Sequence, residues 1–156
     1  MNSINAEEKL RYIDELIQYF ENLHLEEELQ SHVAKYLTVI ICGIYENIIR
    51  NYLIEYVDRN TASEELSNFI LHHLKYSLRT PKYKNITDFL VQWNQDWVDK
   101  LNRDIEDIHK EALFSIVENK NTIAHGDSLT LTFTDIKDYY ENSRVIIEKL
   151  DEIILS

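Results

Sequence analysis

The sequence predicts an all-α fold, an antiparallel bundle of about six helices around one long central helix. Three observations predict it. The 156 residues include only 2 Gly and 1 Pro, too few turn-formers for a sandwich or barrel, which needs a turn about every 8–12 residues. Apolar residues recur at spacings of three and four almost throughout. Hydrophobic residues make up 44% and charged residues 28%, a globular balance, and a chain of this length buries roughly two thirds of its unfolded surface. With no linker, repeat or low-complexity segment, one domain over residues 1–156 is expected.

The first helix opens at Asn5, with Glu8 three residues on in a capping-box relation, and carries Leu10, Ile13, Ile17 and Phe20 on one face. The second runs from near Glu26 to about Arg59 on a stripe of Leu29, Val33, Leu37, Ile40, Ile44 and Ile48. At roughly 34 residues it spans about 50 Å. A second face, Val39, Cys42, Gly43, Glu46, Ile49, Arg50 and Leu53, implies burial on two sides. Either this is simply the central helix of the bundle, or one face serves a homodimer. Gly43 costs about 1 kcal/mol against Ala in mid-helix, and close approach by another backbone accounts for it.

Thr61 with Glu64 forms a second capping box and opens a helix through Leu66, Phe69, Ile70, Leu74 and Leu78, which Pro81 ends. A fourth helix starts between Asn85 and Thr87 and carries Phe89, Leu90, Trp93, Trp97 and Leu101, the tryptophans as core. A fifth runs from about Asp104 through Ile108, Leu113, Ile116 and Val117 to His125, where Gly126 stops it. Ser128 to Phe133 alternates polar and apolar, an extended connector or short edge strand. Thr134 then caps a last helix bearing Ile136, Tyr139, Tyr140, Ile146, Ile147, Leu150 and Ile153.

Charge narrows the function classes. The 16 Lys+Arg against 28 Asp+Glu give a net charge of −12, which repels nucleic acid unless basic groups are gathered locally. They are gathered in one place. From Leu66 to Thr87 there is no Asp or Glu, while Lys75, Arg79, Lys82 and Lys84 alternate with His72, His73, Tyr76 and Tyr83. Cations interleaved with aromatics suit a single strand of RNA, its phosphates on the cations and its bases on the rings. A solvated helix end and loop accounts for the same residues. A single cysteine, Cys42, excludes an internal disulfide or a zinc cluster. The histidines lack metal-ligand spacing, so neither metal nor cofactor is expected. Met1 to Leu10 has no apolar signal core, and the run Tyr36 to Tyr45 is about half of what a bilayer crossing needs. A soluble, cytoplasmic protein without a membrane partner is expected.

The chemistry concentrates in Glu118-Asn119-Lys120-Asn121-Thr122-Ile123-Ala124-His125-Gly126. Asn121 and His125 lie one turn apart on the same helix face. Lys120 and His125 are about 140° apart, so they converge only if the helix end unwinds or a second chain contributes. A cation, an imidazole and a small amide can carry phosphodiester chemistry, the cation holding phosphoryl charge and the imidazole moving the proton. The same residues also serve as a plain helix end, with Gly in the left-handed cap and His or Lys against the dipole.

Lys-Asn-Thr-Ile-Ala-His-Gly at 120–126 resembles the Arg-Asn-x-x-Ala-His-Gly signature of the HEPN superfamily, all-helical domains common in prokaryotic conflict systems. Ile44-Tyr45-Glu46-Asn47-Ile48-Ile49-Arg50 resembles the Glu-bearing second helix of its RiboL-PSP type, and the tail from Asp135 through Ile153 also fits. The resemblance implies a homodimer and metal-independent endoribonuclease activity on RNA, with paired motifs at the dimer interface, in a toxin or phage-defence setting with an antitoxin or other defence-system partner protein. It also admits an inactive module that only dimerises and binds a partner or a nucleotide. It places His125 on the catalytic histidine, Asn121 on the following polar position, Lys120 on the arginine, and Glu46 on the acidic residue of the second helix. Lys120 keeps the charge but loses the planar fork that grips a phosphate bidentately. Asp127 stands where toxins paired with nucleotidyltransferase antitoxins usually have tyrosine, which argues against that subgroup.

Overall fold

The computed structural model describes residues 1–78, 80–127 and 129–156, apart from the side chains of Lys75 and Tyr76. Its described residues form seven helices and no strand: α1 (Ile4–Asn22), α2 (Glu27–Asn60), α3 (Glu64–Ser77), α4 (Tyr83–Leu90), α5 (Gln95–Asp104), α6 (Asp107–Ala124) and α7 (Phe133–Leu155). The fold is all-α, as expected, with the 34-residue α2 as its axis.

Local chemistry sets most boundaries, sometimes by residues other than those expected. Ser3, not Asn5, caps α1, its Oγ accepting from the Ala6 N–H at 3.2 Å. Ser63, not Thr61, caps α3, accepting from Leu66 N–H at 3.3 Å, while Thr61 closes α2 through its own N–H to Val57 O. The expected fourth helix divides in two because Asn94 starts a new helix, its Oδ1 accepting from Asp96 N–H at 2.9 Å. Trp97 is core, whereas Trp93 is only half-buried. The segment from 129 to 132 is an irregular connector, and Ser128 lies outside the described residues. Thr132, not Thr134, caps α7 in a reciprocal box with Asp135.

Helices α2, α6 and α7 pack on one another, with α1 and α3 on α2, α5 on α7, and α4 between α5 and α6. By length and composition α2 is apolar enough to cross a membrane, but it lies at the centre of the bundle with Leu37, Ile41, Tyr45, Ile48 and Tyr52 fully buried. The buried phenols are satisfied. Tyr45 Oη bonds Ser143 Oγ at 2.9 Å, Tyr52 Oη donates to Ile147 O at 3.1 Å, and Tyr140 Oη donates to Asp14 Oδ1 at 2.8 Å. These bonds fix α7 against α1 and α2 and leave α6 anchored between α2 and α7. Gly43 differs from expectation. It is exposed, and a Cβ built on it meets nothing within 4 Å, so no backbone of this chain approaches it.

Candidate active site

The Lys120–Gly126 motif is the C-terminal end of α6, and its geometry follows from how that helix stops. Gly126 adopts φ +76°, the left-handed region that glycine enters without a Cβ penalty. Gly126 N–H then donates to Ile123 O at 3.1 Å, and Asp127 N–H to Thr122 O at 3.2 Å. These are the two bonds of a Schellman cap. The cap holds His125 in the last helical position (φ −85°, ψ −4°), with its N–H donating to Asn121 O at 3.0 Å and its ring exposed.

Helical rotation then divides the motif. Ala112, Leu113, Ile116 and Val117 define the buried face of α6, and Lys120 continues it toward α2. Asn121, half-buried, and His125, exposed, lie on another face, in line with Phe114 and Glu118. Thus Lys120 and His125 of one chain look in different directions.

On α2 the Lys120 charge acts on Glu46, which is half-buried. Burial pushes the Glu46 carboxyl above its ordinary range, while the charges of Lys120 and Arg50 pull it down. Cys42, one turn earlier and fully buried, donates its thiol to Glu46 Oε1 at 3.8 Å. Burial, with the Glu46 charge adding to it, pushes that thiol up to about 12, so it stays protonated and inert at neutral pH. Arg50 donates from Nη2 to Leu78 O at 3.3 Å, and its buried Nε has no hydrogen-bond partner among the described residues. Glu46 thus lies in the electrostatic field of two cations, Lys120 of α6 and Arg50 of its own helix.

The expected RNA-binding cations are only partly placed. The Lys75 side chain and Arg79 lie outside the described residues. Lys82 reaches α6, where its Nζ pairs with Glu118 Oε1 at 2.7 Å. Lys84 pairs with Asp88 Oδ2 at 2.5 Å on the same helix. Sequence reasoning missed Lys110 and Phe114. Together with Lys82, Tyr83, Lys84 and Glu111 they line a cavity of about 380 Å³ beside the motif face. Lys110 Nζ lies 5.3 Å from the Tyr83 ring centre, and Lys82 Nζ lies 6.0 Å from that of Phe114. The signal for Lys110 and Phe114 was present, since 110, 114 and 118 recur at four on α6. No group of three or more His, Cys, Asp or Glu among the described residues is placed to hold a metal ion.

The assembled chemistry is a cation in the field of a half-buried carboxylate, an exposed imidazole, and an amide one turn from it. The family model described as RiboL-PSP-HEPN matches residues 7–156 of the chain. No curated protein and no solved structure matches it.

Proposed function

The chain belongs to the RiboL-PSP-HEPN family, and from that premise we propose that it is a homodimeric, metal-independent endoribonuclease with an active site composed from two copies. The observation that carries this reading is the division of the motif. Lys120 faces α2 and Glu46, whereas His125 stands exposed on the far side of the same helix end. One chain does not close a site around both residues, and a second copy supplies the missing side. A surface for that copy runs beside the motif along α2, where Tyr36 and Val39 are 45% and 44% exposed and Gly43 leaves its backbone open. A two-fold axis there makes the same patch meet itself.

In the proposed reaction the ribose 2′-oxygen attacks the adjacent phosphorus. The bond to the 5′-oxygen of the next nucleotide breaks, leaving a 2′,3′-cyclic phosphate. The His125 imidazole takes the 2′-hydroxyl proton, and an imidazolium returns a proton to the departing 5′-oxygen. Lys120 holds the charge that grows on the phosphoryl oxygens, and Asn121 positions the substrate or the imidazole. Glu46 keeps the Lys120 ammonium in place. Lys75, Arg79, Lys82 and Lys84 carry the strand. The setting that family membership suggests is a cytoplasmic toxin or phage-defence effector with a protein partner.

A second reading has its own support: an inactive module that dimerises and binds a partner or nucleotide. Lysine at 120 lacks the bidentate fork, and the net charge of −12 opposes RNA. Mixing inactive variants tests the composite site. Lys120→Ala and His125→Ala protomers, unfolded and refolded together, form mixed dimers. With each site built across the interface, one of the two sites regains both residues and cleavage returns. With each site inside one chain, every site in the mixture lacks a residue and cleavage stays absent.

A further inference from the structure

An open groove of about 700 Å³ lies between α3 and the turn joining α4 to α5, and the mechanism above leaves it unused. Phe69, Ile70 and His73 of α3 form one side, with Phe89, Gln92 and Trp93 on the other. The Phe69 ring is 62% exposed and meets the His73 ring at 4.5 Å between centres, with 61° between the planes. Trp93 is half-buried and held edge-on against Tyr56 at 6.4 Å. Among the described residues no carboxylate lines the groove. Gln92 donates through Nε2 to Asp88 O at 3.1 Å, and among the described residues its carbonyl oxygen is left to accept from a ligand.

We propose that this groove is a subsite for one unstacked base of single-stranded RNA, a proposal that rests on the endoribonuclease reading and names how its substrate is held. Rings set at different angles around a cavity provide faces for stacking that any base can use. A glutamine carbonyl accepts from the N–H edge of the base. The sequence that supplies one wall of the groove is locally basic. Its α3 wall and the chain leading to α4 belong to the stretch Leu66–Thr87, which has four cations and no acid in a protein of net charge −12. Helix α4 links the groove to the motif. Lys82, just before its first residue, pairs with Glu118 of α6, and Phe89, near its last, lines the groove about 10 Å along the axis. A strand with its scissile phosphate at His125 passes Lys82 and sets a base several nucleotides away into the groove. A partner helix fits less well, because helix recognition uses a continuous apolar trough, and here His73 and Gln92 interrupt it.

The test uses the full chain with His125→Ala, which binds RNA without cutting it. The probes are a roughly ten-nucleotide oligouridylate, the same oligomer without bases, and an acidic amphipathic helical peptide. The readouts are tryptophan fluorescence and affinity across salt concentrations. The oligouridylate should quench fluorescence, and Trp93→Phe should abolish that quenching. Phe69→Ala should weaken binding about tenfold with the salt slope unchanged. Phe69 is mostly exposed, so melting curves of the variant and its parent should coincide. The abasic oligomer should bind weakly and quench nothing. Equal affinity with and without the Phe69 ring, equal behaviour of the two oligomers, or groove binding by the peptide alone would each overturn the proposal. Cleavage by wild-type protein is measured separately. If it persists when the groove proves idle, the subsite fails and the ribonuclease reading stands. If cleavage is absent as well, both fail.

Discussion

The Lys120 ammonium on α6 acts on the Glu46 carboxylate on α2, opposing the burial that pushes this carboxyl above its ordinary range. Residues 74 positions apart in sequence are thereby brought together in the candidate site, and the Lys120 charge bears on how Glu46 titrates.

This relationship predicts a pH dependence. A carboxyl whose folded pKa is raised binds more protons folded than unfolded just above its ordinary value of 4.5. Stability then falls as pH rises from that value through the raised folded one. Glu46→Gln should remove the decline, so the difference in melting temperature between wild type and variant should change across this window and level off above it. A constant difference from pH 4 to 8 would show that Glu46 does not titrate this way.

Lys120 divides the two functional readings. In an active site, Lys120→Arg should retain or raise cleavage, since a guanidinium makes two parallel bonds to the phosphoryl oxygens. Lys120→Ala should lose about 10²–10³-fold, as when one oxyanion donor is removed. Rates on the three purified proteins, with melting curves to show each is folded, decide this. Full cleavage by Lys120→Ala would remove Lys120 from the mechanism.

Gly126→Ala tests whether the cap positions the histidine. A Cβ at Gly126 meets nothing within 4 Å, so its cost is the strain of φ +76°, about 1–2 kcal/mol. A melting point lower by roughly 2–8 °C is expected. Cleavage should fall further than the unfolded fraction explains, because His125 adjoins the strained residue. Loss of activity in proportion to unfolding alone would mean that the cap is only structural.

The α2 face predicts how the chain associates. Light scattering should give twice 18.6 kDa. Val39→Asp, on a 44% exposed residue, should yield a folded monomer without cleavage activity. Gly43→Ala separates two effects. On a free surface it stabilises the helix by roughly 0.5–1 kcal/mol. At a close two-fold contact it weakens the dimer. A dimer unaffected by either change would place the interface elsewhere.

Much of the fold was legible because the chain is written in one period. The stripes of the first and last helices follow the buried faces of α1 and α7, since spacing decides which side of a helix is apolar. On α2, apolar almost all round, Val33, Leu37 and Ile48 are buried, but Leu29 is 49% exposed and Ile40 and Ile44 are only half-buried. Misplaced caps have a shared cause. Thr61 and Ser63 both have a capping hydroxyl, as do Thr132 and Thr134, and which one serves depends on where the preceding segment ends. The site was legible as a motif but not as a geometry. The 140° between Lys120 and His125 follows from helical rotation, and Gly126 as the stop follows from its type. That the Lys120 charge acts on Glu46, and that Lys82 pairs with Glu118, depends on the packing of helices far apart in sequence, which periodicity does not encode. Lys110 and Phe114 share a helical row with Glu118 in the sequence, but only the packing of α4 beside α6 turns that row into the wall of a cavity.

The central claim is tested most directly by incubating purified protein with total RNA in EDTA beside a His125→Ala control, with the new ends analysed. The account predicts cleavage by wild type in the presence of the chelator, 2′,3′-cyclic ends, and none from His125→Ala. Intact RNA with wild-type protein, or equal degradation by the two proteins, would contradict it.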